Sequence, residues 1–153
     1  MCVVKEAVGP CQGNADAQPL PTQTKRKGNR KMKFCKCDVC GKIVALVKET
    51  SVDTVCCGQP MRELVPGTTD GAAEKHVPVC RQSGNTVTVS IGAVAHPMTD
   101  DHFIEWIFLE TANGNQRKAL KPGDRPEAVF ALVPSDTVKS ASAYCNLHGL
   151  WRS

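Results

Sequence analysis

The chain has 153 residues, of which 41% are hydrophobic, and it carries a formal net charge of +4. No apolar run approaches the ~20 residues that span a bilayer, and the start lacks the apolar core of a secretory signal. We therefore expect a cytoplasmic protein with no membrane segment.

The positive charge is concentrated at the start of the chain. Residues 1–33 carry seven Lys or Arg against two acidic residues, whereas residues 34–153 carry twelve against thirteen. The run KRKGNRK could contact nucleic acid, but the folded part is close to neutral, so nucleic acid is not the partner that we expect for it. Residues 1–31 show no periodic pattern of apolar residues, and we predict a disordered basic leader.

Nine cysteines in a chain without a secretion signal favour metal binding over disulfides. Two of them, Cys2 and Cys11, fall in the leader and receive no role. Met32 directly precedes the first cysteine motif and is a second candidate for the natural start of the protein. We place a first module at residues 32–66.

The first module contains a CxxC motif, formed by Cys37 and Cys40 and followed by Gly41. This spacing is typical of a knuckle whose backbone amides point at the sulfurs. Fifteen residues later Cys56 and Cys57 are adjacent, and they can reach one metal only if the chain bends there, because successive strand residues face opposite ways. The sequence predicts a strained tetrahedral four-sulfur site.

Two alternatives remain open for this module. A structural zinc ribbon is one, although such ribbons normally close with a second CxxC instead of a vicinal pair. The other concerns Cys35, which lies two residues before Cys37 and could compete as a ligand.

Residues 67–75, GTTDGAAEK, form a polar link rich in glycine, and we place the domain boundary there. Residues 76–153 then contain the apolar segments HVPVC, NTVTVSIG, FIEWIFLE, AVFALV and ASAYC, separated by turns. Several short strands of this kind predict a β-sandwich of about 80 residues. We expect TANGNQRKALKPGDRPE to be an exposed loop and Cys80 to pack as a small apolar residue.

The second domain contains all four histidines of the chain. The segment YCNLHGLW places Cys145 and His148 three residues apart in a turn, where one local backbone offers a thiolate and an imidazole to the same ion. Zinc normally closes at four ligands, whereas a nitrogen-rich set of five with one open position suits a redox metal such as iron. The candidate ligands are His76, His96, His102, Cys145 and His148.

Four separated segments carry a resemblance to a known family. CDVCG with CCGQPM, DGAAEKHVPV, AHPMTDDHFIEWI and YCNLHGLW resemble the signature segments of desulfoferrodoxin, the two-iron form of superoxide reductase, over about residues 32–153. The resemblance implies a mainly β protein, in which a small desulforedoxin- or rubredoxin-like iron module precedes an immunoglobulin-like β-sandwich.

The same resemblance implies two mononuclear iron sites. One is held by the four sulfurs of Cys37, Cys40, Cys56 and Cys57. In the other, His76, His96, His102 and His148 lie in a plane and Cys145 is axial. Two further roles follow from it: Glu74 matches the carboxylate that takes the sixth position in the resting state, and Lys75 matches the cation that attracts the incoming anion.

The activity implied is the one-electron reduction of superoxide to hydrogen peroxide, with a rubredoxin-like electron donor and a homodimer formed through the first module. The alternative from another class is a non-catalytic electron-transfer redoxin, in which neither iron meets substrate. A purely structural zinc protein is a further alternative, which metal analysis distinguishes.

Overall fold

The computed structural model describes residues 31–153. Residues 1–30 of the predicted leader, with Cys2 and Cys11, lie outside these residues. The described part is mainly β, as predicted, and its strands follow one another in the order β1 (Lys33–Lys36), β2 (Ile43–Leu46), β3 (Val55–Cys56), β4 (Gln59–Pro60), β5 (Arg62–Glu63), β6 (Pro78–Ser83), β7 (Thr86–Ile91), β8 (Ile104–Thr111), β9 (Asn115–Ala119), β10 (Glu127–Ala131), β11 (Val138–Cys145) and β12 (Gly149–Arg152).

Two antiparallel sheets form the sandwich. One has the strand order β10-β7-β6 and the other β12-β11-β8-β9. Alternate residues of β7 and β10 point inward, because successive side chains of a strand face opposite ways. They meet inward-facing residues of the other sheet in one core, which includes Val87, Val89, Ile107, Leu109 and Phe130.

Strand β8 buries both of its faces, which explains the nearly continuous apolar run FIEWIFLE. Ile107 and Leu109 face the sandwich core, while Trp106 and Phe108 belong to a second apolar cluster on the other side. A strand covered on both sides loses the alternation of apolar and polar residues that a half-exposed strand shows.

The first module is a three-stranded sheet, β2-β1-β5, with the short hairpin β3-β4. Phe34 of β1 contacts Trp106 and Phe108 of β8, with ring centroids 4.9 Å and 5.2 Å apart. Leu64 joins the same cluster. The module therefore shares an apolar core with the outer face of the sandwich.

The predicted loop after β8 contains a strand. β9 pairs antiparallel with β8, from Glu110 opposite Asn115 to Trp106 opposite Ala119. Four of its five residues are exposed. An edge strand of this kind needs no apolar face and often carries charged residues, so its sequence has no alternating pattern and the loop prediction was wrong here.

The segment 67–75 packs against the sandwich. The Gly67 amide donates a hydrogen bond to the Leu150 carbonyl, and the segment ends in a single helical turn, α1 (Ala73–His76). The domain boundaries at 66 and 75 stay predictions. Within residues 31–153, no helix is long and apolar enough to cross a membrane.

Candidate metal centres

The five predicted ligands of the second domain meet at one end of the sandwich. The antiparallel pairing explains why: Pro78 at the start of β6 lies opposite Ile91 at the end of β7, and Cys145 at the end of β11 lies opposite Ile104 at the start of β8. The segments just outside these four points carry the four histidines, and Cys145 is itself the last residue of β11. The ligand-type atoms of His76, His96, His102, Cys145 and His148 all lie within 4.8 Å of one another.

The four imidazole rings are arranged as a square. Neighbouring ring centroids are 4.6 Å apart for His76 and His96, 4.6 Å for His96 and His102, 4.8 Å for His102 and His148, and 4.7 Å for His148 and His76. The diagonal from His76 to His102 is longer, at 6.2 Å. Neighbouring rings are nearly perpendicular, and one ring nitrogen of each lies within 4.8 Å of those of the others.

The ring nitrogens divide into an inner set, which faces the middle of the square, and an outer set, which faces the surrounding backbone. His76 donates from Nδ1 to the Ala72 carbonyl at 2.8 Å, and His96 Nδ1 contacts the Pro97 carbonyl. These contacts fix the rings and leave Nε2 as the inner atom. The Nε2 atoms of His96 and His102 are buried and have no hydrogen-bond partner within the described residues.

Burial favours the neutral form of His76, His96 and His102. It lowers the pKa of His96 to about 4, with smaller contributions from the neighbouring imidazoles. Burial is also the main cause that lowers the pKa values of His76 and His102. A neutral imidazole has a free lone pair on one nitrogen, which is the form that binds a metal ion.

Cys145 supplies the single sulfur of this group and is fully buried. Burial raises the pKa of its thiol, while the backbone N–H groups of His148 and Leu147 donate to the sulfur and lower that pKa. The Cys145 sulfur is 3.5 Å from Nδ1 of His148. The sulfur can therefore join the four imidazoles at one ion, and two amides are in place to stabilise its thiolate.

Several residues around the histidines had no predicted role. Trp151 stacks on His76, with ring centroids 4.8 Å apart, and its indole N–H donates to the His148 carbonyl at 2.9 Å. Thr69 donates to the same carbonyl. A Cβ on Gly71 would lie 2.9 Å from the Trp151 ring, so the close approach of the 67–75 segment requires glycine. Trp151 was visible in the YCNLHGLW motif, but its contacts depend on long-range packing.

Glu74 and Lys75 lie on the helical turn α1, directly before His76, and both are exposed. Burial is the largest cause that lowers the pKa values of His76 and His102, and the charge of Lys75 is among the smaller causes. The turn is supported from below by Gly92, where a Cβ would lie 2.7 Å from the Glu74 carbonyl oxygen. The two charged side chains are thus held beside the histidine square.

The four predicted sulfur ligands of the first module also come together. The sulfurs of Cys37, Cys40, Cys56 and Cys57 all lie within 4.8 Å of one another, with Cys40 and Cys56 3.7 Å apart. The expected bend is at Cys57, whose φ of 50° is followed by a φ of 78° at Gly58. This left-handed pair turns both vicinal sulfurs toward one point.

Backbone amides also stabilise the sulfur group. The N–H groups of Cys40 and Val39 donate to the Cys37 sulfur and lower its pKa to about 7. The crowded sulfurs have the opposite effect on Cys57, whose hydrogen bond to Cys40 raises its pKa to about 12. Cys35 is not part of this group: it is buried in β1 opposite Val44, so the predicted competition does not occur in this fold.

Both groups fit the metals that their donor sets suggest. Four sulfurs within 4.8 Å of one another suit iron or zinc. Four imidazoles and one thiolate, with two inner nitrogens that lack a hydrogen-bond partner within the described residues, suit a redox-active ion such as iron. A buried ring nitrogen without a partner is costly unless an ion completes it. The two predicted donor groups are therefore assembled as the two-iron arrangement requires.

Comparisons with known proteins agree with this arrangement. The family model described as desulfoferrodoxin matches residues 68–153, and the model of the desulfoferrodoxin N-terminal domain matches residues 29–64. A desulfoferrodoxin homolog of Archaeoglobus fulgidus is 52% identical over 122 residues, which cover 80% of this chain and 96% of that protein. A desulfoferrodoxin of Nitratidesulfovibrio vulgaris is 48% identical over 118 residues, covering 77% and 92%.

The fold has a similar counterpart among solved structures. The crystal structure of the superoxide reductase from Treponema pallidum matches with a TM-score of 0.70 and 37% identity, over 81% of this chain and 99% of that one. Sequence family, fold and both donor groups point the same way. The chain belongs to the desulfoferrodoxin family.

Proposed function

We propose that this protein is a superoxide reductase, which reduces superoxide by one electron to hydrogen peroxide at its histidine-rich site. The observation that carries the proposal is the square of four imidazoles beside the buried Cys145 sulfur, with two inner nitrogens left without partners. A site for electron transfer alone needs no position open to a small molecule.

An iron ion held by these five residues would supply the electron that, together with two protons, converts superoxide to hydrogen peroxide. Burial lowers the pKa values of His76, His96 and His102, so these ligands are neutral and do not cancel the positive charge of a bound ion that attracts an anion. The Cys145 thiolate donates electron density to the site. The amides of Leu147 and His148 limit this donation, because they form hydrogen bonds to the sulfur.

Lys75 and Glu74 are the two residues that we assign to the reaction itself. Lys75 is exposed and adjacent to His76, so its charge attracts a small anion toward the open side of the square. Steering of this kind raises association rates by ~10 to 10³. Glu74, on the same turn, is the carboxylate that we assign to the vacant ligand position once product leaves, and not a required proton donor.

Rapid mixing tests the activity against the electron-carrier alternative. Iron-loaded, reduced protein is mixed with superoxide in a stopped-flow instrument while the thiolate-to-iron absorption band of the second site is followed. Superoxide reduction predicts a fast second-order transient and one hydrogen peroxide per protein oxidised. An electron carrier would show no such transient. Metal analysis of the protein as purified, before any iron is added, tests the remaining alternative: zinc in place of iron would support a structural protein instead.

The role of Lys75 has its own test. Lys75→Ala should lower the second-order rate by about 10-fold at low ionic strength and flatten its salt dependence, because steering by a single charge is lost. Lys139→Ala is the matched control, since Lys139 is an exposed lysine on β11, the strand that ends at Cys145 six residues later. Equal rates in the two variants would show that Lys75 does not steer superoxide to the site.

The partners follow from the same proposal. A reductase needs one external electron per turnover, and we assign a rubredoxin-like donor. We also assign a homodimer formed through the first module, because that module has a limited core and exposes Val39, Val47, Val52 and Val55. Light scattering on the purified chain measures the dimer, and a monomeric mass would refute it. The free cysteines of a cytoplasmic protein are consistent with metal binding at both sites.

A further inference from the structure

Asn146 connects the two loops that carry His102 and Cys145. Its side-chain Oδ1 accepts a hydrogen bond from the Phe103 amide at 2.9 Å, and its Nδ2 donates to the Asp101 carbonyl at 2.8 Å. Its backbone amide also donates to the Phe103 carbonyl at 3.1 Å. One residue next to Cys145 therefore holds the backbone on both sides of His102.

His102 depends on this contact more than the other imidazoles do. His76 and His96 are fixed by contacts from Nδ1 to backbone carbonyls. His148 is fixed through its own carbonyl, which accepts hydrogen bonds from Trp151 and Thr69. Among residues 31–153, no hydrogen bond is formed to a ring nitrogen of His102. Apart from packing against the neighbouring imidazoles, its ring is placed through the position of its backbone.

The backbone around His102 forms a closed turn. The Thr99 and His102 amides each donate to the other residue's carbonyl, at 3.0 Å and 3.3 Å, and the Thr99 hydroxyl donates to Asp101 at 2.7 Å. These bonds close the turn but do not attach it to β11. The residue that follows Cys145 does attach it: the Asn146 backbone amide donates to the Phe103 carbonyl, and the Asn146 side chain adds one bond on each side of His102.

We propose that Asn146 is a positioning residue that sets the place of the His102 ring relative to the Cys145 sulfur. The inference rests on the metal centre of the proposed function. Asparagine suits the task because its carboxamide offers an acceptor and a donor at once. Aspartate would keep the acceptor but lose the donor, and alanine would lose both.

The test measures metal binding by the full chain. Asn146→Ala should weaken Co²⁺ or Fe²⁺ binding at the histidine site by about 10-fold to 100-fold, and it should shift the thiolate-to-metal band. Asn146→Asp, which retains the Phe103 contact, should fall between alanine and the native protein. The absorption of the four-sulfur site in the same molecule reports whether the variant is folded. The matched control is Gln116→Ala, which removes a side-chain bond of 2.7 Å to the Ala131 carbonyl on exposed strands.

A double-mutant cycle then asks whether Asn146 acts through His102. In a His102→Ala background, Asn146→Ala should change Co²⁺ affinity by less than about twofold, because the ring that it places is absent. In a His96→Ala background, Asn146→Ala should still lower Co²⁺ affinity by about 10-fold or more. Equal losses of Co²⁺ affinity in both backgrounds would overturn the proposal. So would an unchanged affinity and an unchanged thiolate-to-metal band in the single variant Asn146→Ala. Neither result depends on superoxide, so a failure here and a failure of the proposed activity can be told apart.

Discussion

The two metal-binding groups of this chain are built in opposite ways. The sulfur group lies on short strands and turns, and two of its four ligands, Cys40 and Cys57, are exposed. The histidine group lies where long strands of a well-filled sandwich end, and His76, His96 and Cys145 are buried. The first is fixed by local backbone geometry, the second by long-range pairing of four strands.

This difference separates the chemistry that each group suits. Exposed sulfurs near the surface can exchange electrons with a partner or stabilise a small module, and they need no substrate pocket. The histidine group is more deeply buried, so water screens its ligands less and one thiolate has a larger effect there than at the surface. The contrast predicts that changes at the two sites have separable consequences.

The largest effect is expected from Cys145→Ser. A serine hydroxyl is not a thiolate donor, so the thiolate-to-iron band and superoxide reduction should both be lost. Stopped-flow spectroscopy of the iron-loaded variant measures both. Cys80→Ser is the matched control, because Cys80 is a partly buried thiol of β6 outside the metal group. Retention of band and activity in Cys145→Ser would show that the sulfur is not a ligand.

Loss of the other site should leave this reaction in place. Cys57→Ser removes one of four sulfurs, so iron should be lost from the first module while the second band and the direct reaction of reduced protein with superoxide persist. Iron quantification with a visible spectrum measures the result. Cys35→Ser should keep both irons, since Cys35 lies outside the group. If Cys57→Ser abolished the superoxide reaction, the two sites would not be separable.

A smaller effect is expected where the backbone supports the Glu74–Lys75 turn. Gly92 has a φ of 80°, and a Cβ there would meet the Val94 carbonyl oxygen and lie 2.7 Å from that of Glu74. Gly92→Ala should destabilise the fold by about 1–3 kcal/mol, measured by urea unfolding. Gly114→Ala is the control, because nothing lies within 4 Å of its Cβ position. Equal urea midpoints for Gly92→Ala and Gly114→Ala would mean that the turn accommodates the added Cβ with no loss in the free energy of unfolding.

The smallest effect concerns acid stability of the metal-free protein. The folded-state pKa of His96 is lowered to about 4 by burial, below its unfolded value of about 6.5. Between these values the unfolded chain binds more protons, so stability should fall as the pH is lowered from about 6.5 toward 4. Urea midpoints at several pH values measure the slope. His96→Gln should show a shallower slope, and an identical slope would assign the effect to other groups.

The sequence predicted the local parts of both sites well. The CxxC knuckle, the bend required at Cys56–Cys57 and the Cys145–His148 turn follow from spacing of two or three residues, which short-range geometry controls. The apolar strands of the sandwich were also visible. That His76, His96, His102 and His148 share one domain suggested a common site, and the resemblance implied their planar arrangement. Spacing alone could not predict that geometry, because it depends on register between strands far apart in sequence.

Two features were not predictable from patterns. Strand β9 is mostly exposed and carries no apolar alternation, so only its pairing with β8 defines it. The segment 67–75 was expected to be a polar link, yet Thr69 and Gly71 contact residues of the histidine site. Small polar residues give the same signal whether they separate domains or pack closely against a site.

The apolar cluster beneath the first module has a consequence for any shortened form of this protein. Trp106, Phe108, Tyr144 and Leu150 are buried together with Phe34 and Leu64, which the first module contributes. A chain that began after residue 66 would expose four large side chains on the outer sheet of the sandwich. Such a fragment should self-associate unless polar residues replaced them, even with its histidine site complete.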